Sequence, residues 1–184
     1  LIAVPSTLLL KQWLTNIHRI GYYNRYKLLI ICSDKDSVLN SLHNKTLDSY
    51  CITTNPEKIT DFIGKNRKCV VITMYQSSHI LKKLYMEGKL KTAFEFRILD
   101  ECHHLCKWLD NKSKHQNTDI LDIPNKKRLG LTATMKKLTN ENSIDNYDEK
   151  IFGIKLDEKS VSWAIENKKI TDYYILTLNM KQET

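Results

Sequence analysis

The sequence predicts an α/β fold, a parallel sheet with crossover helices on both faces. Two observations carry that prediction: short apolar runs rich in β-branched residues recur along the chain, and longer segments with apolar residues at helical spacing separate them. A third observation is that several of these runs end in carboxylates or hydroxyls. Open sheets of this kind bind their ligands at the carboxyl ends of the strands, so these endings are the candidate site.

Taken in order, Leu1 to Val4 reads as a strand, and Leu10, Trp13, Leu14 and Ile17 mark one face of a helix over Thr7 to Ile20. The apolar start has no basic leader, contains Pro5 and runs into Lys11, Gln12 and Trp13 without a small-residue cleavage site, so it reads as a buried strand and not a signal core. Lys27 to Cys32 and Ser49 to Thr53 are the next strands. Thr54 with Glu57 forms a capping-box pattern that opens a helix carrying Ile59, Phe62 and Ile63. After the strand Cys69 to Thr73, Ser77 or Ser78 caps a helix with Ile80, Leu81, Leu84 and Tyr85 on one side, and Gly88 stops it. Phe96 to Asp100 and Lys127 to Thr132 are strands separated by a polar loop over Asn111 to Thr118. Lys136 to Glu149 reads as an exposed connector, Val161, Ala164 and Ile165 as a helix face, and Tyr173 to Leu178 as a last strand.

Residues 98 to 104 read Ile-Leu-Asp-Glu-Cys-His-His, so an apolar strand runs straight into Asp100 and Glu101. Two adjacent acids beside a strand are usually a solvated turn, and the pair alone decides little. Further along, Arg128-Leu-Gly-Leu-Thr-Ala-Thr-Met135 is a short apolar strand ending in two hydroxyls. Together Asp100-Glu101-Cys102-His103 and Thr132-Ala133-Thr134 resemble motifs II and III of the superfamily 2 helicases, in the DExH variety. Leu1-Ile-Ala-Val-Pro-Ser6 with Leu10-Lys-Gln-Trp13 is similar to motif Ia and its helix. Val70-Val-Ile-Thr-Met-Tyr-Gln-Ser77 is similar to the strand and nucleic-acid-facing turn ahead of motif II. Thr53-Thr-Asn-Pro-Glu-Lys-Ile59 and the stretch from Ala164 to Tyr173 also look like those of helicase-like motor subunits, including those of restriction systems. The resemblance covers nearly the whole chain.

It implies a three-layer RecA-like (P-loop NTPase-like) sheet, incomplete at the N-terminus. Residues 1–172 would be part of the first motor domain, and 173–184 would begin the connection to a second one. In this family a Gly-rich phosphate-binding loop ending Gly-Lys-Ser/Thr precedes motif Ia. Glycines at 21, 64, 88, 130 and 153 leave no candidate for it, so the loop is expected upstream of Leu1. A right-handed crossover would then set it beside Asp100 at an adjacent strand end.

By the same resemblance the cofactors are ATP and Mg²⁺, with Asp100 engaging the metal, Glu101 acting as general base or orienting the attacking water, and His103 coupling this site to motif III. Thr132 and Thr134 would carry the message between hydrolysis and the nucleic-acid groove, or else merely cap a strand-to-helix turn. Pro5, Ser6, Thr73, Tyr75, Gln76 and Ser77 match the places where the family touches a nucleic-acid backbone, though Tyr75 reads equally well as a core aromatic. Trp13, Trp108 and Trp163 read as packing residues, and His104 as structural. The function expected is that of an ATP-dependent helicase or translocase, with DNA favoured over RNA as partner. The alternatives are a restriction-system motor subunit moving on duplex DNA and a degenerate, non-hydrolysing nucleic-acid-binding module.

Composition agrees with that picture. The 184 residues suit one domain with a real core, and 41 % hydrophobic content is that of a globular protein. A net charge of +8 and a pI near 9.2 fit a phosphate-backbone partner, although the basic residues form no single compact run. Five cysteines, at 32, 51, 69, 102 and 106, are odd in number, and three of them lie in apolar strand-like runs, which reads as a reducing, intracellular, non-secreted protein. Cys102, His103, His104 and Cys106 are close enough in sequence to raise a zinc site, but its remaining ligands would have to come from His115 or Cys69. No apolar run is long enough to span a bilayer, so no membrane partner is expected. Abundant Lys, Asn and Ile are the mark of an AT-rich genome such as a large DNA virus's.

Overall fold

The computed structural model describes residues 1–21, 25–41, 50–108, 116–138 and 143–171. Its strands are β1 (Ile2–Val4), β2 (Lys27–Ile31), β3 (Tyr50–Ile52), β4 (Cys69–Met74), β5 (Phe94–Asp100), β6 (Lys107–Trp108), β7 (Asn125–Leu131) and β8 (Ser143–Ile144). Six of them form one all-parallel sheet in the order β3-β2-β4-β1-β5-β7, while β6 and β8 make a separate antiparallel pair. The helices are α1 (Thr7–Arg19), α2 (Lys35–Ser41), α3 (Pro56–Lys65), α4 (Ser78–Met86), α5 (Glu149–Phe152) and α6 (Val161–Glu166).

Strand alternation explains the three layers. Leu28 and Ile30 of β2 face one side of the sheet and Leu29 and Ile31 the other, and all four are wholly buried. On the first side they meet Leu10, Leu14 and Ile17 of α1 and Val38 of α2. On the second they meet Ile59 of α3, Leu81 and Leu84 of α4, and Ile120 and Ile123 of the segment before β7. Each such side chain contributes about 1.5–3 kcal/mol by leaving water. Arg97 is a charged exception inside the second layer, with no exposed surface. Its Nη1 donates to the carbonyls of Ile120 (2.6 Å) and Ile123 (3.0 Å), which fastens the 3-10 segment Gln116–Asp122 beneath β5. Burial, reinforced by Arg128, lowers its pKa to about 10.

Several local expectations are corrected. Asn55, not Thr54, caps α3, accepting from Glu57 N and Lys58 N, and Pro56 takes the first turn, where its missing N–H costs nothing. Neither serine before α4 caps it with its side chain, because Ser78 Oγ donates back to the Tyr75 carbonyl at 2.6 Å. Gly88 does end α4, with φ +69° and its N–H on the Tyr85 carbonyl. Lys136 to Glu149 is not simply an exposed connector: β8 pairs with β6, and Asn146 is buried with Oδ1 on Lys136 N.

The chain divides into two compact units, Leu1–Gly153 and Ile154–Thr184. In the second, Ser160 caps α6 by accepting from Trp163 N at 3.0 Å, and Lys159 Nζ lies 5.2 Å from the centroid of the Trp163 ring. None of α6 is fully buried, so the expected apolar face of Val161, Ala164 and Ile165 is only half covered. The predicted strand Tyr173 to Leu178 and the domain edge near 172 lie outside the described residues. Among the described residues no helix is long and apolar enough to cross a membrane.

Candidate functional site

Because the sheet is parallel, neighbouring strands deliver their carboxyl ends to one edge. Val4 pairs in register with Met74, Ala3 with Leu99, and Asp100 with Leu131. The residues that follow, Pro5 and Ser6, Tyr75 to Ser77, Glu101 to His103, and Thr132 to Thr134, therefore line up across four adjacent strands, β4-β1-β5-β7.

Asp100 is the centre of this row. Its Oδ2 accepts from the Trp13 indole Nε1 at 2.7 Å, its Oδ1 from Glu101 N at 3.1 Å, and its carbonyl oxygen from Tyr75 Oη at 2.5 Å. Glu101 then turns the chain sharply, with φ 49° and ψ 49°, a left-handed conformation that costs a non-glycine residue about 1 kcal/mol or more. The turn carries the chain into the short 3-10 helix Cys102–Leu105. Glu101 Oε2 is buried and lies 3.2 Å from His103 Nδ1, but off the direction of a hydrogen bond, so this is an electrostatic contact only. The hydrogen bond of His103 Nδ1 is to Thr132 Oγ1, at 2.8 Å. Thr132 Oγ1 in turn accepts from Thr134 N and donates to the Thr134 carbonyl, both at 3.1 Å. With that hydroxyl proton given to Thr134, the network assigns the ring proton of His103 to Nδ1. Asp100, Glu101, His103, Thr132 and Thr134 are thus brought together as expected, with Thr134 entering through its main chain.

The six residues expected to face nucleic acid divide. Pro5 and Ser6 are half-buried and Gln76 is exposed, whereas Thr73, Tyr75 and Ser77 have their side chains inside the fold. Ser6 caps α1, accepting from Leu9 N, and Thr73 Oγ1 donates to the Met74 carbonyl. Tyr75 is a core aromatic, and burial beside Asp100 and Glu101 pushes its hydroxyl far above the usual tyrosine range. His104 is exposed, its ring 4.2 Å from that of His103.

Sequence reasoning assigned Trp13 to packing and so missed its bond to Asp100. The one available signal was that a Trp buried beside a strand end needs an acceptor for its N–H. Asn146 was also missed: its Nδ2 donates to Cys102 Sγ at 3.5 Å, directly behind the Asp-Glu turn. Burial raises the Cys102 thiol to about 11.

The residues fit a divalent cation. Each Asp100 oxygen accepts one hydrogen bond and keeps a lone pair, and Glu101 Oε2 is buried with no hydrogen-bond partner among the described residues. Mg²⁺ is held by one or two carboxylates completed by water and substrate phosphates, so a cage of side chains is not required. Among the described residues no cluster of three or more His, Cys, Asp and Glu is arranged to hold a metal. Cys102 is engaged by Asn146 and His103 by Thr132, and His115 lies outside the described residues.

Three comparisons bear on this site. A probable helicase of African swine fever virus is 30 % identical over 132 residues, which is 71 % of this chain and 13 % of the relative. The structure of a nuclease-deletion mutant of the Type ISP restriction-modification enzyme LlaGI, in complex with a DNA substrate mimic, matches 94 % of this chain with a TM-score of 0.66 at 23 % identity, and thus shares its fold. This chain spans 14 % of that one. Residues 1–137, which carry the whole row of strand ends, match the family described as Type III restriction enzyme, res subunit. With its six-stranded parallel sheet and helices on both faces, the chain belongs to that family and has the RecA-like motor fold of superfamily 2 helicases.

Proposed function

We propose that this chain supplies the metal-binding and water-orienting half of an ATP hydrolysis site in a motor that moves on nucleic acid, DNA in preference to RNA. The observation that carries this is the buried Glu101 oxygen, which accepts no hydrogen bond among the described residues and touches only His103 electrostatically, within an otherwise satisfied array running from Asp100 to Thr134. In the array, Asp100 anchors Mg²⁺, Glu101 orients a water and takes its proton, and His103 links that water's neighbourhood to Thr132. Mg²⁺ held by Asp100 would supply charge to offset that developing on the transferred phosphoryl group. The hydrogen bond between His103 and Thr132 supports the DExH reading. The exposed Gln76 and half-buried Pro5 and Ser6 offer polar and backbone groups for phosphate contacts, which hold a strand without reading its sequence.

The phosphate-binding loop and the arginines of a second motor domain belong, on this proposal, to the remainder of the protein. The sheet order argues against a loop directly beside Asp100. β5 is flanked by β1 and β7, so no further strand can lie directly beside Asp100. The nearest open edge is the outer side of β7, one strand away, and a loop-bearing strand would pair there.

Movement on duplex DNA without strand separation is the second reading, favoured by membership of a restriction-enzyme family and by the fold shared with LlaGI, whose structure holds a DNA substrate mimic. The test is a pair of assays on the full protein containing this chain. ATP-dependent displacement of a third strand from a triplex, with or without unwinding of a forked duplex, is expected. Unwinding identifies a helicase, and displacement alone a translocase. Binding without either activity would leave a non-hydrolysing module and defeat the proposal.

A further inference from the structure

We propose that Trp13 is a positioning residue for Asp100, and that with Tyr75 it forms a two-sided clamp tying the nucleic-acid-facing turns to the metal carboxylate. This rests on the preceding assignment of Asp100 to the metal.

Strand alternation puts the two contacts on opposite faces of the sheet. Ile98 packs with the α1 layer and Leu99 with the other, so the Asp100 side chain returns to the α1 side, where the Trp13 indole meets Oδ2 at 2.7 Å. Tyr75 lies in the opposite layer and reaches the Asp100 carbonyl at 2.5 Å. Side chain and main chain of one residue are thereby fixed by two different elements. An indole N–H on a carboxylate is a charge-assisted bond, and such bonds are the stronger and more directional ones. The other carboxylate oxygen, Oδ1, is held by the adjacent Glu101 N–H at 3.1 Å, so among the described residues Trp13 supplies the one side-chain donor to the Asp100 carboxylate.

Both clamp residues sit on elements that begin at the candidate nucleic-acid edge. Trp13 is on α1, which is capped by Ser6, so the cap and the indole belong to one continuous helix. Tyr75 is the residue before exposed Gln76 and begins the 3-10 turn that leads into α4. A strand pressing on Ser6 and Gln76 acts on the two groups that set the orientation of Asp100. This route is separate from the His103–Thr132 bond, which leaves from the other side of Asp100 toward β7.

The bond itself is read by NMR on the ¹⁵N-labelled chain, where each tryptophan gives an indole N–H resonance and Trp13→Phe identifies that of Trp13. Asp100→Ala should shift the Trp13 resonance and remove its protection from exchange while the other indoles keep theirs. An unmoved, equally protected Trp13 resonance overturns the clamp, whatever the protein hydrolyses. In the full protein, Trp13→Phe keeps the ring but loses the donor, and the Mg²⁺ concentration for half-maximal ATP hydrolysis should rise about tenfold, as for loss of a group that orients a metal ligand. Trp163→Phe should leave it unchanged. A wild-type protein without ATPase activity defeats the metal assignment but not the indole result. An active protein whose Mg²⁺ requirement is unmoved by Trp13→Phe defeats the clamp alone, and if that variant does not fold, Trp108→Phe and Trp163→Phe identify the Trp13 resonance by elimination and its response to Asp100→Ala decides.

Discussion

A methyl group added at Gly130 tests how tightly β7 is packed behind the Asp-Glu turn. A Cβ at this position would lie 3.1 Å from Cys102 Sγ, 3.7 Å from Cys102 Cβ and 3.8 Å from Phe152 Cδ1. The backbone there is ordinary strand, so Gly130→Ala carries no left-handed strain and gains about 0.4–1 kcal/mol by restricting the unfolded chain. Against that stands the sulfur contact. Cys102 cannot swing away freely, because its Sγ accepts from Asn146 Nδ2 and Asn146 is itself held by Lys136 N. Overpacking of this kind costs about 1–3 kcal/mol, so the contact wins and the net loss is about 1–2 kcal/mol. In a Cys102→Ala background the sulfur is gone and the sign reverses: Gly130→Ala should then stabilise by about 0.5 kcal/mol. The coupling of roughly 2 kcal/mol is measured by urea unfolding of the four proteins with a common m-value. A neutral Gly130→Ala, or the same penalty with and without Cys102, would show that the reasoning about this contact is wrong.

Two further outcomes are expected. Arg97→Ala should destabilise by about 2–4 kcal/mol, because it leaves the buried carbonyls of Ile120 and Ile123 without their donor and opens a cavity. Arg97→Met should cost less, because its unbranched side chain fills part of the buried volume that alanine leaves empty; equal losses in urea unfolding would contradict this. His104 should titrate below its ordinary 6.5, owing first to partial burial, then to His103 and Lys136, and His103→Asn should raise the midpoint in a proton NMR titration. Since the folded pKa is depressed, the unfolded chain binds the proton more readily. The stability tied to His104 is thus full above 6.5 and falls as pH drops through that value toward the folded pKa. A midpoint at or above 6.5 would contradict the assignment.

The sheet was largely legible because it is buried on both faces. Leu28 to Ile31 and Val70 to Ile72 have nothing polar to confuse the pattern, and Asp100 stands out by ending such a run. Asp100, Glu101, His103 and Thr132 were expected as a group from the resemblance to motifs II and III, and the parallel sheet brings those strand ends side by side. Side-chain direction was less legible. The period of α1 places Trp13 toward the sheet but cannot distinguish an indole packed on Ile98 from one bonded to Asp100. Tyr75 follows a buried strand, and whether it points out to a ligand or in under β5 depends on the 3-10 turn at Tyr75–Ser77, which leaves no mark in the spacing. Caps slipped by one residue where Asn55 and Thr54 compete. Asn146 was missed because a lone buried amide within a polar stretch looks like its solvated neighbours.

The most direct test of the central claim is ATP hydrolysis by the full protein, with and without DNA, compared across wild type, Asp100→Asn and Glu101→Gln. DNA-stimulated hydrolysis in wild type, abolished in both variants while Glu101→Gln still binds nucleotide, is the predicted result. Hydrolysis that persists in Glu101→Gln, or nucleotide binding lost together with turnover in that variant, would contradict the role given to the carboxylate pair at the end of β5.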